Sequence, residues 1–98
     1  MIYSIDHAKK VMRFTRDNVC ESAVLIGSLA TGKESDNDID ILLPCKKLTN
    51  RLKRKLIKLY GAETHSTTDW GGLFLHNTYF GNIDIFFTTK NFDYPFKK

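Results

Sequence analysis

An apolar strand that carries acids is the feature that most constrains this chain. In residues 38–43, Asp38 and Asp40 alternate with Ile39 and Ile41. Successive side chains of a strand point to opposite faces, so the two aspartates share one face and the two isoleucines share the other. Two carboxylates side by side repel each other, and apolar surroundings raise that cost. A divalent cation compensates for the repulsion, and hard oxygen ligands favour Mg²⁺ or Mn²⁺.

Two further segments belong with this acidic strand. Upstream, an apolar run at 23–26 ends at Gly27-Ser28, a turn whose backbone N–H groups suit phosphate. Downstream, residues 82–87 read as another apolar strand with one acid, Asp84. If the two acidic strands are neighbours, three carboxylates converge on one face. Together with the turn, they predict a site for metal-assisted phosphoryl chemistry. The alternative is that the three acids are ordinary strand-end residues in turns.

A glycine-serine turn, an Asp-x-Asp strand and a later third aspartate, in this spacing, resemble the polymerase-β-type nucleotidyltransferase superfamily. The similarity is greatest to its smallest members, the minimal nucleotidyltransferases, and covers residues 24–87. The resemblance implies the minimal nucleotidyltransferase fold, an α/β domain with a mixed β-sheet and helices packed mainly on one face. It also implies transfer of a nucleoside monophosphate, AMP from ATP above all, to an acceptor hydroxyl, with release of pyrophosphate.

By the same resemblance, the three acids are both catalytic residues and metal ligands. Asp38, Asp40 and Asp84 would hold two Mg²⁺ ions, with Mn²⁺ as an alternative. Asp84 has the further implied role of accepting the proton of the acceptor hydroxyl. The set is complete for this chemistry, so the sequence predicts an active transferase (EC 2.7.7 type).

The phosphate-binding residues follow from the resemblance as well. Gly27 and Ser28 would hold the triphosphate of the nucleoside triphosphate. Many relatives carry arginine in the loop that follows, where this chain has Thr31, with Lys33 just beyond Gly32. Lys33 is therefore the candidate cation for the phosphates, and a solvated loop lysine is the alternative interpretation.

Length and composition bound the remaining possibilities. At 98 residues and 42% hydrophobic content, residues 1–98 are expected to form one folded domain. No segment has the length and apolar character of a membrane span or the pattern of a signal peptide, so no membrane partner is expected. Cys20 and Cys45 lie far apart without metal-type spacing, which favours a reduced, cytoplasmic setting. The net charge of +4 is compatible with nucleotide or nucleic-acid partners.

Two helices are predicted around these strands. The first covers Met1–Asn18, with Ser4 as its N-cap and His7 as a solvated surface residue. The second covers Leu48–Tyr60, between Thr49 as N-cap and Gly61 as stop. Its predicted buried stripe consists of Leu48, Leu52, Leu56 and Leu59.

The chain after the second helix predicts strands. Residues 62–68 read as a short strand or connector, and residues 73–75 and 79–87 read as the two arms of a hairpin around a polar break at 76–78. The element order indicates an α/β domain.

The acceptor stays open at this point. Stand-alone domains of this size resemble the antitoxin half of a two-gene system, which implies a helical, toxin-type protein partner that receives AMP. One alternative is transfer to RNA or a small molecule, with RNA bound along the basic face of residues Lys46–Lys58. A second alternative, of a different class, is a non-catalytic module that binds a nucleotide or a partner.

Overall fold

The computed structural model describes residues 3–27, 29, 32, 38–44, 48–68 and 71–87 of the chain. Two helices and five strands follow one another in these ranges. They are α1 (Ile5–Asn18), β1 (Val24–Ile26), β2 (Ile39–Leu43), α2 (Asn50–Tyr60), β3 (Thr64–Thr67), β4 (Leu73–Thr78) and β5 (Gly81–Phe87). The predicted order of elements is confirmed.

The five strands form one mixed sheet in the order β1-β2-β5-β4-β3. Strands β2 and β5 run parallel, and the other three neighbouring pairs run antiparallel. A parallel pair needs a long connection, which α2, β3 and β4 supply here. The protein is therefore a small α/β domain with a mixed sheet, as the sequence predicts.

Local signals account for both helices. The Ser4 side chain accepts a hydrogen bond from the backbone N–H of His7 at the start of α1, and Thr49 accepts one from Leu52 at the start of α2. Helix α2 ends at Gly61, whose φ of 66° lies in the left-handed region. Neither α1 nor α2, the helices of the described ranges, has the length and apolar character that a membrane crossing needs.

Both helices pack on the same face of the sheet. Their buried residues join one core cluster with alternate residues of the strands, among them Ile39, Ile41, Ile83 and Ile85, each 0% exposed. Because strand residues alternate between faces, Asp40 and Asp84 point away from the helices. We call the helix-packed side the covered face and the other side the acidic face.

One position of the predicted stripe on α2 is wrong. Tyr60, not Leu59, is the fully buried residue of the last turn, with an exposed fraction of 0%. The Tyr60 hydroxyl hydrogen-bonds to Thr15 of α1, and its ring packs edge-on against Phe14 and Phe80. A large residue that reaches a polar partner on the neighbouring helix fills this site better than leucine would.

The hairpin also turns later than predicted. Strand β4 continues through the polar break to Thr78, and the turn consists of Tyr79 and Phe80. The Thr78 hydroxyl accepts from the Phe80 N–H at 3.0 Å and donates to the Gly81 carbonyl at 2.6 Å. Gly81, with φ of 99°, supplies the positive φ that closes the turn. Asn77, at φ of 53°, lies where the register between β4 and β5 shifts.

Candidate active site

Strand pairing brings the three predicted acids together. In the parallel register of β2 and β5, Asp40 lies directly opposite Asp84. Asp38 immediately precedes β2, just outside the strand rather than within it, and the Asp84 carboxyl hydrogen-bonds to the carboxyls of both Asp38 and Asp40. The predicted convergence of these three side chains is confirmed. We call them the acid triad.

Burial and repulsion between carboxylates raise the pKa of two acids of the triad, Asp40 and Asp84. Burial raises the pKa of Asp40 to about 6, and the neighbouring Asp38 charge adds to the rise, against the hydrogen bond from Asp84. Burial also raises the pKa of Asp84 to about 8, with further contributions from the hydrogen bonds and charges of Asp38 and Asp40. Asp40 and Asp84 therefore both keep their protons to a higher pH than a free aspartate does. A carboxyl whose pKa rises for these reasons is one that a bound cation would readily deprotonate.

Gly27 lies against the triad from the other side. It follows β1, whose last residue, Ile26, pairs with Asp40. The φ of Gly27 is 78°, and a Cβ atom built there would lie 2.3 Å from an Oδ atom of Asp40. Only glycine leaves room for the Asp40 carboxylate at this point. The backbone of the predicted phosphate turn and the Asp40 side chain are thus in direct proximity.

Two of the predicted phosphate-binding residues cannot be placed. Ser28 and Lys33 lie outside the described residues. Thr31, which stands where many relatives in the resembled superfamily carry arginine, also lies outside them. Leu29 is described and is buried in the core, and the Gly32 N–H donates to its carbonyl at 3.2 Å.

The donor chemistry of the triad fits Mg²⁺ or Mn²⁺, since three carboxyls offer hard oxygen ligands and accumulate negative charge. Within the ranges that the structure describes, no group of three or more His, Cys, Asp or Glu side chains already has the arrangement of a metal site. Since the pKa values of Asp40 and Asp84 are raised, a cation that binds these carboxyls competes with protons.

The basic residues of α2 lie away from the triad. Helix α2 packs on the covered face through Leu56 and Tyr60, and Arg51, Arg54 and Lys58 are exposed on its outer side. The sheet therefore separates this basic surface from the acids. Lys46 and Lys47, the beginning of the predicted RNA-binding face, lie outside the described residues.

A cavity beside the hairpin turn is absent from the sequence prediction. It has a volume of about 620 Å³ and is lined by Tyr3, by His7 of α1 and by residues of the hairpin, including Asn77 of β4. His7 is half-buried, not a solvated surface residue: it stacks on Tyr3 and its Nε2 atom lies 2.6 Å from the Phe80 carbonyl oxygen. No local pattern reveals this cavity, because its walls are more than seventy residues apart in the chain.

Comparison of the chain with protein-family models, with curated protein sequences and with solved structures gives no match. The functional proposal therefore rests on the geometry of the acid triad and of Gly27.

Proposed function

We propose that this protein is a metal-dependent nucleotidyltransferase of the polymerase-β type, with the minimal nucleotidyltransferase fold. It would transfer a nucleoside monophosphate, AMP from ATP in the first place, to an acceptor hydroxyl. The observation that carries the proposal is the pairing of Asp40 with Asp84 across parallel strands, with the Gly27 backbone against Asp40. This arrangement puts a phosphate-compatible turn and three carboxyls around one point.

The alternative explanation, that the three acids are present only because the fold needs them for stability, is weak. The ionised forms of Asp40 and Asp84 destabilise the fold, because burial and repulsion both oppose the ionisation of these two carboxyls. A sheet that only needed stability would carry apolar or uncharged residues at Asp40 and Asp84, as Ile39 and Ile41 show on the covered face. Groups kept at a cost to stability are typical of functional sites.

Each residue has a distinct role in the proposal. Asp38, Asp40 and Asp84 would hold the metal ions, and the backbone at Gly27, with Ser28 and Lys33 beyond it, would bind the triphosphate of the donor. The acceptor oxygen forms a bond to the α-phosphorus, and the bond from that phosphorus to the oxygen bridging to the β-phosphate breaks. Pyrophosphate leaves with that bond's electron pair. The acceptor proton passes to the Asp84 carboxylate. When bound, the metal ions supply Lewis-acid stabilisation of the charge that develops on phosphate.

Two of the acids lie side by side in the sheet. Because Asp40 and Asp84 lie at the same level on adjacent strands about 4.8 Å apart, both could hold the same metal ion. Partial burial lowers the local dielectric around that point, which strengthens the interactions that hold the reacting groups.

The test is a calorimetric titration of an ATP analogue that cannot be cleaved between its α- and β-phosphates, with and without Mg²⁺. We expect metal-dependent binding to the wild type and at least a tenfold weaker affinity for Asp40→Asn. Asp17→Asn, which alters an exposed acid of α1, is the matched control and should bind as the wild type does. Absence of metal-dependent binding by analogues of all four nucleoside triphosphates would contradict the proposal.

A second measurement separates a transferase from a binding module. The protein is incubated with labelled ATP, Mg²⁺ and an extract of its host, and protein, RNA and small-molecule fractions are searched for the label. Label in the protein fraction favours a partner protein, including the helical, toxin-type partner that the resemblance implies. Metal-dependent binding without transfer to any fraction would leave a nucleotide-binding module and contradict the transferase.

A further inference from the structure

A groove with basic walls lies between helix α1 and strand β1, and we call it the basic groove. It has a volume of about 450 Å³. The side chains that line it are Lys9, Met12, Arg13, Arg16, Asp17 and Leu25. The three cations are exposed, and their separations of four and three residues place them along one stripe of α1. The groove therefore presents a row of positive charge above two apolar side chains.

One side of the basic groove is an edge of the sheet. Strand β1 is the last strand in the order, so its outer edge has no neighbouring strand among the residues that the structure describes. Leu25 pairs with Ile41, which is buried on the covered face, so Leu25 lies on that face beside α1. Backbone N–H and C=O groups along such an edge can pair with one more strand. The groove thus offers hydrogen-bonding partners to a peptide backbone as well as charge.

Arg16 is held in place at the beginning of β1. Its Nε atom donates to the carbonyl of Ala23, the residue before the strand, at 3.0 Å. The terminal nitrogens of the guanidinium carry further N–H donors, which suit a carboxylate. Seven residues of helix separate Lys9 from Arg16 and rise about 10.5 Å. Carboxylates on every second residue of a strand repeat about every 7 Å, so two or three of them match this row of cations.

A nucleic acid fits the basic groove less well than an acidic peptide does. None of the described residues that line it is aromatic, so bases would meet no ring for stacking. Asp17, at the end of the row, would repel a phosphate backbone. A phosphate backbone also has no N–H groups to pair with the strand edge. An extended acidic peptide uses both the cations and the edge.

Charge also argues against this chain itself as the occupant. The chain has a net charge of +4, so a second copy brings the same sign of charge to the groove. Residues 88–98 carry three lysines and one aspartate, and their net charge is positive as well. The complementary partner is therefore a different, acidic protein.

We propose that the basic groove docks an extended segment of a partner protein in which acidic residues alternate with apolar ones. The segment adds to the sheet as a strand beside β1, with its carboxylates toward the cations of α1. Its apolar side chains then lie on the other face, beside Val24, which is 43% exposed. This inference does not rest on the proposed transferase, because the cations lie on the covered face and the acid triad on the acidic face.

The test is an NMR titration of the full chain, isotope-labelled, with three hexapeptides whose termini are blocked. They are the alternating peptide Glu-Val-Glu-Val-Glu-Val, the block peptide Glu-Glu-Glu-Val-Val-Val and the basic peptide Lys-Val-Lys-Val-Lys-Val. We expect the alternating peptide to bind with a Kd of about 1 mM or lower, at least about threefold more tightly than the block peptide. The basic peptide should not bind. Equal affinity of the two acidic peptides would overturn the inference, because charge alone would then explain binding.

Hydrogen exchange tests the addition of a strand. With the alternating peptide bound, at least one backbone amide of Val24–Ile26 should exchange more slowly, because the new strand accepts a hydrogen bond from it. Unchanged exchange at all three amides of the bound protein would overturn the inference.

Two neighbouring lysines locate the charge effect. Lys9 and Lys10 are both exposed on α1, but Lys9 lines the basic groove and Lys10 does not. Lys9→Gln should weaken binding of the alternating peptide about two- to fivefold, as should Arg13→Gln, while Lys10→Gln should leave it unchanged. Equal losses in Lys9→Gln and Lys10→Gln would mean that net charge attracts the peptide without the groove, and would overturn the inference.

The other occupants are outcomes of the same experiment. A hexanucleotide of uridine that binds the groove more tightly than the alternating peptide would replace the peptide with RNA. Resonances of β1 that shift when the protein alone is diluted would indicate a second copy. A peptide of residues 88–98 that shifts them would indicate this chain's own segment. Each of these results, or no binding of the alternating peptide at millimolar concentration, would overturn the inference.

Discussion

The covered and acidic faces of the sheet use alternate residues of the same strands. On β5, Ile83 and Ile85 are fully buried under the helices, whereas Asp84 between them points to the other side. On β2, Ile39 and Ile41 enclose Asp40 in the same way. Among the residues that the structure describes, sixteen buried side chains form one cluster on the covered face, and Ile26, Leu42 and Phe86 form a smaller one on the acidic face.

The difference shows how one short domain separates stability from chemistry. The covered face removes apolar area from water and so supplies most of the driving force for folding. The acidic face carries groups whose ionisation opposes folding. A period of two residues allows both on a single strand, so the acids can be changed without touching the core.

Substitutions at two neighbouring positions on β5 are expected to differ most in their effect on the free energy of unfolding. Ile85→Ala should lower the free energy of unfolding by about 2–5 kcal/mol, because it opens a cavity in the covered face. Asp84→Asn should leave stability at pH 8 unchanged or raise it, since it removes a repelled carboxyl. Urea unfolding at pH 8 measures both.

If Ile85→Ala does not fold, Ile85→Val replaces it in the comparison. It should lower the free energy of unfolding by about 0.5–1.5 kcal/mol, a smaller change in the same direction. A loss of stability in Asp84→Asn as large as that of Ile85→Ala would mean that the acidic face is part of the structural core.

The next largest effect is expected at Gly27. Gly27→Ala should cost about 2–3 kcal/mol, because it combines a left-handed φ with a clash against Asp40. Gly71→Ala is the matched control: its φ is 85°, but an added Cβ would meet nothing within 4 Å. It should cost only about 1–2 kcal/mol from the backbone conformation.

The double variant Gly27→Ala/Asp40→Ala tests the cause. If the clash with Asp40 is responsible for the difference between the two glycines, the double variant should lose less stability than Gly27→Ala relative to its Asp40→Ala parent. A difference that persists without the Asp40 side chain would point to the Gly27 backbone alone. Thermal unfolding provides the comparison.

The acidic face should also make stability depend on pH. The folded-state pKa values of Asp40 and Asp84 are raised to about 6 and about 8, from an ordinary aspartate value of 3.8. Between 3.8 and these raised values, the folded protein binds more protons than the unfolded chain does. Stability should therefore fall as the pH rises from about 4 to about 8. Since both carboxyls are partly accessible to solvent, screening reduces the effect to about 2 kcal/mol.

Added Mg²⁺ should reverse this trend if the triad binds the ion, because binding to the folded state alone stabilises it. The measurement is the unfolding free energy between pH 5 and pH 8.5, with Mg²⁺ or with EDTA. Asp40→Asn/Asp84→Asn should have a flatter profile without metal and no response to Mg²⁺. An unchanged slope in the double variant would place the pH dependence elsewhere in the chain.

The smallest expected effect lies on the covered face. Tyr60→Phe removes the hydroxyl that hydrogen-bonds to Thr15, while Thr15 keeps its bond of 2.9 Å to the Val11 carbonyl. We expect a loss of about 1 kcal/mol. Tyr79→Phe, which removes a hydroxyl from a ring that is 77% exposed, should change stability by less than about 0.5 kcal/mol. Equal effects of the two variants, measured by urea unfolding, would show that the buried hydrogen bond contributes nothing.

Local sequence signals predicted the ends of the helices well, because each capping residue has a single, well-defined physical role there. Ser4 and Thr49 cap the two helices, and Gly61 ends α2, all as expected. These signals act within a few residues, so the sequence around them is sufficient. The alternation of Ile39 and Asp40 likewise predicted the two faces of β2 before any partner strand was known.

Two of the errors share a cause. Leu59 and Tyr60 both fit a helical stripe, and Thr15 of the other helix selects Tyr60. His7 is expected in solvent, but its ring contacts Phe80, far along the chain. In both cases a contact distant in sequence chooses between local options of similar energy. The turn of the hairpin differs, because hydrogen bonds of the Thr78 hydroxyl to Phe80 and Gly81 place it after the polar residues rather than among them.

By itself, the sequence determined the capping residues of the helices and the alternation of apolar and acidic residues on the strands. It also singled out the three carboxyls of the candidate site. Only the tertiary structure decided that β2 and β5 are parallel neighbours in a register that puts Asp40 opposite Asp84, that Gly27 lies against Asp40, and that a cavity opens beside the hairpin. The physical reason is the distance in sequence over which each feature is decided. Helix caps and the alternation of strand faces depend on neighbouring residues, whereas strand register and cavities depend on which segments, distant in sequence, pack together and exclude water.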